Sequence, residues 1–112
     1  MALFKIFKDK TGRFRFLLKS NKNQIIFTSK GYSSRLICFS QIQLIKRYAL
    51  KDEKYERHIS QSDSPYFTFK VFKNKVVGVS EKFLNTGTME NIITLIKTNA
   101  LKAEIDKMTY SM

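Results

Sequence analysis

Phe14–Ser34, FRFLLKSNKNQIIFTSKGYSS, decides how this chain folds. Phe14, Phe16 and Leu18 alternate with Arg15, Leu17 and Lys19, which predicts a strand over Arg13–Lys19. Ser20–Asn23 forms a turn, because Asn23 tolerates a left-handed backbone better than most residues. Gln24–Lys30 forms the next strand, with Ile26 and Thr28 expected inward and Ile25 and Phe27 outward. Gly31-Tyr32-Ser33-Ser34 then opens a helix, since a serine hydroxyl can accept from the free N–H groups of its first turn.

Leu3–Lys8 precedes this stretch as a strand, closed by a turn at Asp9-Lys10-Thr11-Gly12, so three strands make an antiparallel meander. The helix is expected from about Arg35 to Tyr48. Cys38, Ile42, Ile45 and Ala49 form the stripe that faces the sheet. Leu36, Ile37, Phe39 and Leu44 fall off that stripe, which widens the apolar surface beyond what one sheet face needs.

A second copy begins 51 residues on. Phe16 meets Phe67, Lys22-Asn23 meets Lys73-Asn74, Leu44-Ile45-Lys46 meets Leu95-Ile96-Lys97, and Ala49-Leu50 meets Ala100-Leu101. The offset places strands at Tyr55–Ser60, Tyr66–Phe72 and Val76–Glu81, and a stripe at Met89, Ile93, Ile96 and Ala100. Gly87 weakens the second helix start, which is expected between Asn85 and Thr88. Leu101, Ile105 and Met108 keep helical spacing, so this helix is expected to continue to about Met108. The whole reads as α+β: one domain over 1–112, with tandem β-β-β-α repeats of about 1–51 and 52–108. They share one antiparallel sheet with two helices packed on one face.

FRFLLKSNKNQIIFTSKGYSS, followed by Ile42, Ile45 and Lys46 and by Tyr55-Glu56-Arg57 opening the second copy, resembles the YegP-like family of small tandem-repeat proteins of unknown function. The resemblance runs from about Phe4 to Ala100, and Tyr32-Ser33-Ser34 is its most specific element. It implies a β-β-β-α repeat whose two copies build one antiparallel sheet, with the helices exchanged between halves. It implies no chemistry. The chain departs from the family's usual Asn-Gly second turn, having Lys22-Asn23 and Lys73-Asn74 there, and Phe83-Leu84-Asn85 lacks the paired serines.

Charge is one-sided. Residues 1–51 carry twelve Lys and Arg against a single acid, Asp9, a net of +11 out of +12 for the chain. Such a field attracts polyanions and acidic partners. Cys38 and His58 are the obvious candidates for a nucleophile–base pair, but Cys38 sits on the buried stripe and no third group is suggested to orient His58. One Cys and one His cannot complete a four-ligand structural zinc site, so no metal and no cofactor are expected, and the chain does not read as an enzyme. No apolar run reaches the length of a bilayer span, and the N-terminus has no apolar signal core. A lone cysteine suits a reducing cytoplasm.

The candidate site is the outward face of the first repeat: Lys5, Phe7, Arg13, Arg15, Leu17, Lys19 and Phe27, with Ile25 beside them. Basic side chains interleaved with rings suit sequence-tolerant nucleic-acid binding, charge for phosphate and rings for bases. The same residues also suit an apolar patch with a basic rim, buried in a homodimer or against a protein partner. The protein-interaction or self-association reading leads, with nucleic acid as its alternative. The second repeat offers a milder face: Glu56, His58, Tyr66, Thr68, Lys70, Val76 and Gly78.

Overall fold

The structure, a computed structural model, describes residues 2–73 and 75–111, with 107–111 described as backbone. Strands β1 (Leu3–Lys8), β2 (Phe14–Lys19) and β3 (Ile25–Ser29) precede helix α1 (Arg35–Tyr48). Strands β4 (Tyr55–Ile59), β5 (Pro65–Val71) and β6 (Lys75–Ser80) precede helix α2 (Thr86–Asn99), and β7 (Glu104–Ser111) ends the described chain. All seven strands form one sheet in the order β4-β5-β6-β3-β2-β1-β7.

The sheet is mixed, which corrects the expectation of a wholly antiparallel one: β7 runs parallel to β1. The second helix also stops at Asn99 rather than near Met108. A single 3-10 turn over Ala100–Lys102 redirects the chain. Beyond Ala100 the chain returns to the sheet, with Leu101 exposed and Ala103 buried in the core. The outer edge of β1 holds unpaired N–H and C=O groups that an extended strand satisfies. Asn74 and the side chain of Met108 lie outside the described residues.

At the centre, β3 pairs with β6 through Phe27↔Ser80, Thr28↔Val79 and Ser29↔Gly78. Thr28 and Val79 are 51 positions apart, and the flanking pairs exchange under the same offset, so the register is symmetric about this pair. Matching bulges follow Leu18 in the β2–β3 pair and Phe69 in the β5–β6 pair. Further along each pair a serine hydroxyl bonds across the ladder. Ser29 Oγ accepts from Phe16 N–H at 2.9 Å and donates to Lys30 C=O at 2.8 Å. Ser80 Oγ makes the same two contacts with Phe67 and Glu81, at 2.9 Å and 2.8 Å.

A bulge shifts the alternation by one residue, and this corrects the expected orientation of β3. Ile26 and Phe27 both enter the core, while Thr28 lies opposite Leu17. Gly78, expected outward, also faces inward, and Val79 takes its outward place. The Phe27 ring crosses the centre of the sheet into the space left by Gly78, where a Cβ would stand 2.5 Å from its Cε2 and Cζ atoms. The ring lies between Phe16 and Phe67, with centroids 6.5 and 6.0 Å away, and meets Phe69 edge-on.

Both helix starts are capped by side chains 51 positions apart. Ser34 Oγ accepts from Ile37 N–H at 3.1 Å, and Asn85 Oδ1 from Thr88 N–H at 2.8 Å. Asparagine is as good an N-cap as serine, which offsets Gly87 and starts α2 at Thr86. The two predicted helix stripes are buried and join Phe4, Ile6, Phe16, Leu18, Phe67 and Phe69 in one core. The resemblance implied exchanged helices; instead α1 packs mainly on β1 and β2, reaching β5, and α2 packs on β5. Only Lys30–Ser34 separates β3 from α1, so the helix folds back over the strands just before it.

Candidate functional site

The register places Lys5 opposite Leu17 and Phe7 opposite Arg15, so these four share the sheet face away from the helices, with Lys19 one step along β2. The face is not an open aromatic platform. Phe27 is in the core, and Phe7 and Leu17, though outside the main core cluster, are only 8% and 3% exposed. The long stems of Lys5, Arg15 and Lys19 reach far enough to cover them. The cationic groups are also engaged. Arg15 Nε donates to Ser29 C=O at 3.1 Å, and Lys19 Nζ to Asn23 Oδ1 at 3.1 Å. Arg13, just ahead of β2, donates from Nη2 to Gly31 C=O at 3.0 Å.

The second-half face is polar and self-satisfied. His58 stacks on Tyr66, with centroids 4.9 Å apart, and its Nε2 lies 3.0 Å from Thr68 Oγ1 and 3.2 Å from Glu56 Oε1. Lys70 Nζ pairs with Glu56 at 2.8 Å. Cys38 is fully buried on the helix side of the sheet, so the sheet separates it from His58. Burial pushes the Cys38 thiol up to about 11, away from the thiolate a nucleophile needs. Among the described residues no group of three or more His, Cys, Asp and Glu side chains could hold a metal, and no helix is long and apolar enough to cross a membrane.

Comparing the halves position by position exposes a site that alternation alone did not reveal. At the start of α1, Ile6, Phe14, Leu36 and Phe39 line an open groove of about 580 Å³, with Ser33, Ser34 and Arg35 at its rim. Leu36 is 78% exposed there. At the offset of 51, Ile6 becomes Arg57, Leu36 becomes Gly87 and Phe39 becomes Glu90. The second half therefore replaces the apolar walls with an ion network. Arg57 holds Glu90 through Nε and Nη2 at 2.7 and 2.9 Å, and Asp52 through Nη2 at 2.9 Å. Lys97 Nζ reaches the same Asp52 at 2.7 Å. Hydrogen bonds from Arg57, and then from Lys97, pull the Asp52 carboxyl down to about 2, and Arg57 lowers Glu90 as well. The signal in the sequence was the pair of substitutions Ile6/Arg57 and Phe39/Glu90.

A family model described as a domain of unknown function (DUF1508) matches residues 9–56. A UPF0339 protein encoded in the ptx operon 5′ region of Stutzerimonas stutzeri is 34% identical over 102 residues, covering 91% of this chain and 92% of its own. The UPF0339 protein YegP of Yersinia pestis is 30% identical over 111 residues, covering 97% and 99%. Two solution NMR structures share the fold, each with a TM-score of 0.89. They are a UPF0339 protein from Shewanella oneidensis (21% identity, 98% of this chain and 92% of that one) and the Escherichia coli protein of unknown function yegP (23%, 98% and 93%).

Proposed function

The chain belongs to the UPF0339, YegP-like family, whose compared members are named as uncharacterised, and from that premise we propose that it is a non-enzymatic interaction protein that binds a protein partner through the groove at the start of α1. One observation carries this reading: the first half presents exposed Leu36 above an apolar wall of Ile6, Phe14 and Phe39, where the second half has filled the equivalent place with paired charges. Exposed apolar surface rimmed by polar and basic groups is what a protein contact uses. The surrounding excess of Lys and Arg favours an acidic partner.

We also infer that the two halves, about 1–51 and 52–108, descend from one duplicated β-β-β-α unit. The shared offset of caps, strand serines and central register supports this. A reducing cytoplasm suits the buried thiol of Cys38.

The test of the groove is binding between purified chains, after affinity capture has supplied a partner. Leu36→Asp should weaken that binding by about tenfold or more, while Leu101→Asp leaves it unchanged. Equal binding by wild type and Leu36→Asp rejects the groove.

Polyanion binding through Lys5, Arg13, Arg15 and Lys19 is a second reading, favoured by the +11 charge of residues 1–51. With Phe27 inside the core it would rest on phosphate contact rather than stacking. Neutralising about five phosphates on a duplex would make affinity fall several hundredfold between about 50 and 200 mM salt in a gel shift, and salt-independent binding rejects it.

A further inference from the structure

The two ends of the sheet are finished differently. β7 covers the outer edge of β1, whereas among the described residues β4 at the opposite end pairs only with β5. Ser60 N–H donates to Ser64 C=O at 2.9 Å, which marks these residues as a hydrogen-bonded pair. By alternation, the backbone groups of Glu56 and His58 face β5, and those of Tyr55, Arg57 and Ile59 face outward. Tyr55 is already used. Its N–H donates to Asp52 C=O, and its C=O accepts from Arg57 Nη1 at 3.2 Å. The open edge reduces to the N–H and C=O groups of Arg57 and Ile59.

We propose that β4 pairs in antiparallel register with β4 of a second copy of this chain, about a two-fold axis at His58, so that Arg57 faces Ile59 of the partner subunit. That register uses the open groups of both chains in four N–H···O=C bonds and strands none. A register centred on Arg57 would instead need the Tyr55 carbonyl that Arg57 already occupies.

The side chains agree with this register. On the outer face the two imidazoles meet across the axis, each flanked by its own Glu56 and diagonally by Glu56 of the partner subunit, so carboxylates alternate with imidazoles. The charge of Arg57 is already held by Asp52 and Glu90, so it does not repel the second guanidinium. Ile59, 60% exposed, gains cover from the Arg57 stem. β4 has no Lys, Pro or bulge, devices that commonly block edge pairing. A two-fold contact also closes on itself, whereas a head-to-tail strand addition would propagate. The interface is short and its dimer therefore weak. It is separate from the groove at α1.

The experiment is sedimentation equilibrium of the full chain up to about 1 mM, a range suited to an interface below standard size. Wild type should show a monomer–dimer equilibrium, and a strict monomer overturns the proposal. Ile59→Pro removes an N–H that faces away from β5, so the monomer should keep its circular dichroism while its dimer weakens by about tenfold or more. An unchanged dimer overturns the proposal. A covalent probe covers the case in which proline disturbs the strand. Directly opposed residues at the axis lie about 4.5 Å apart at Cα, within disulfide reach. Oxidised His58→Cys should then form a linked dimer and Leu101→Cys should not; no preferential link at His58→Cys overturns the pairing. A dimer lost in Leu36→Asp but kept in Ile59→Pro would move the contact to the groove and also overturn it.

Discussion

The surroundings of Ile6 and of Arg57 occupy equivalent places in the two halves and solve the same packing problem in opposite ways. In the first half, a strand isoleucine and a helix phenylalanine leave an apolar groove at the helix start. In the second, a strand arginine clamps a helix glutamate and the Asp52 turn, and Lys97 closes the network from α2. The backbone tolerates both because the position lies at the margin of the core, where charges stay wet enough to pair without a large desolvation cost. The surface at this position thus differs completely while its scaffold stays the same.

The largest effects belong to the centre, where the halves cannot be independent. Phe27→Ala should lose about 3–5 kcal/mol in chemical denaturation, because the ring fills space contributed by both halves. Gly78→Ala should lose about 1–3 kcal/mol, since its Cβ would collide with that ring. Combining Phe27→Gly with Gly78→Phe moves the ring across the centre and should cost clearly less than the sum of the two single changes. Simple additivity would show that the two positions do not share one space.

Helix caps come next. Ser34→Ala and Asn85→Ala should each lose about 1 kcal/mol, and similar losses would show that both starts depend on the same hydrogen bond despite Gly87. The smallest effect is at the margin. Arg57→Ile with Glu90→Phe should stay within about 1 kcal/mol of wild type at neutral pH, because partly exposed ion pairs contribute little.

Acid sharpens that comparison. The Asp52 carboxyl titrates near 2 in the fold against 3.8 free, so in this window the unfolded chain binds more protons than the folded one. Wild-type stability should therefore decline as pH falls from about 4 to 2. The Arg57→Ile, Glu90→Phe chain should decline less over that range in an acid series of melting curves. An equal decline would show that Arg57 is not what lowers Asp52.

Alternation, turn residues, capping residues and the 51-residue offset determined six strands, both helices and the buried stripes, because each is a local signal written within a few residues or repeated at fixed distance. Three features were decided only in tertiary structure. The bulges at Ile26 and Val77 turn Phe27 and Gly78 inward; strand alternation carries no mark of them, since both are ordinary strand-forming residues. The last segment left helical spacing for a strand because the edge of β1 offered unpaired backbone groups, a demand made by residues a hundred positions away. The face chosen from charge and aromatic spacing has its rings covered, and the apolar groove formed elsewhere because it joins β1, β2 and α1, whose side chains meet only after the helix folds back over the sheet.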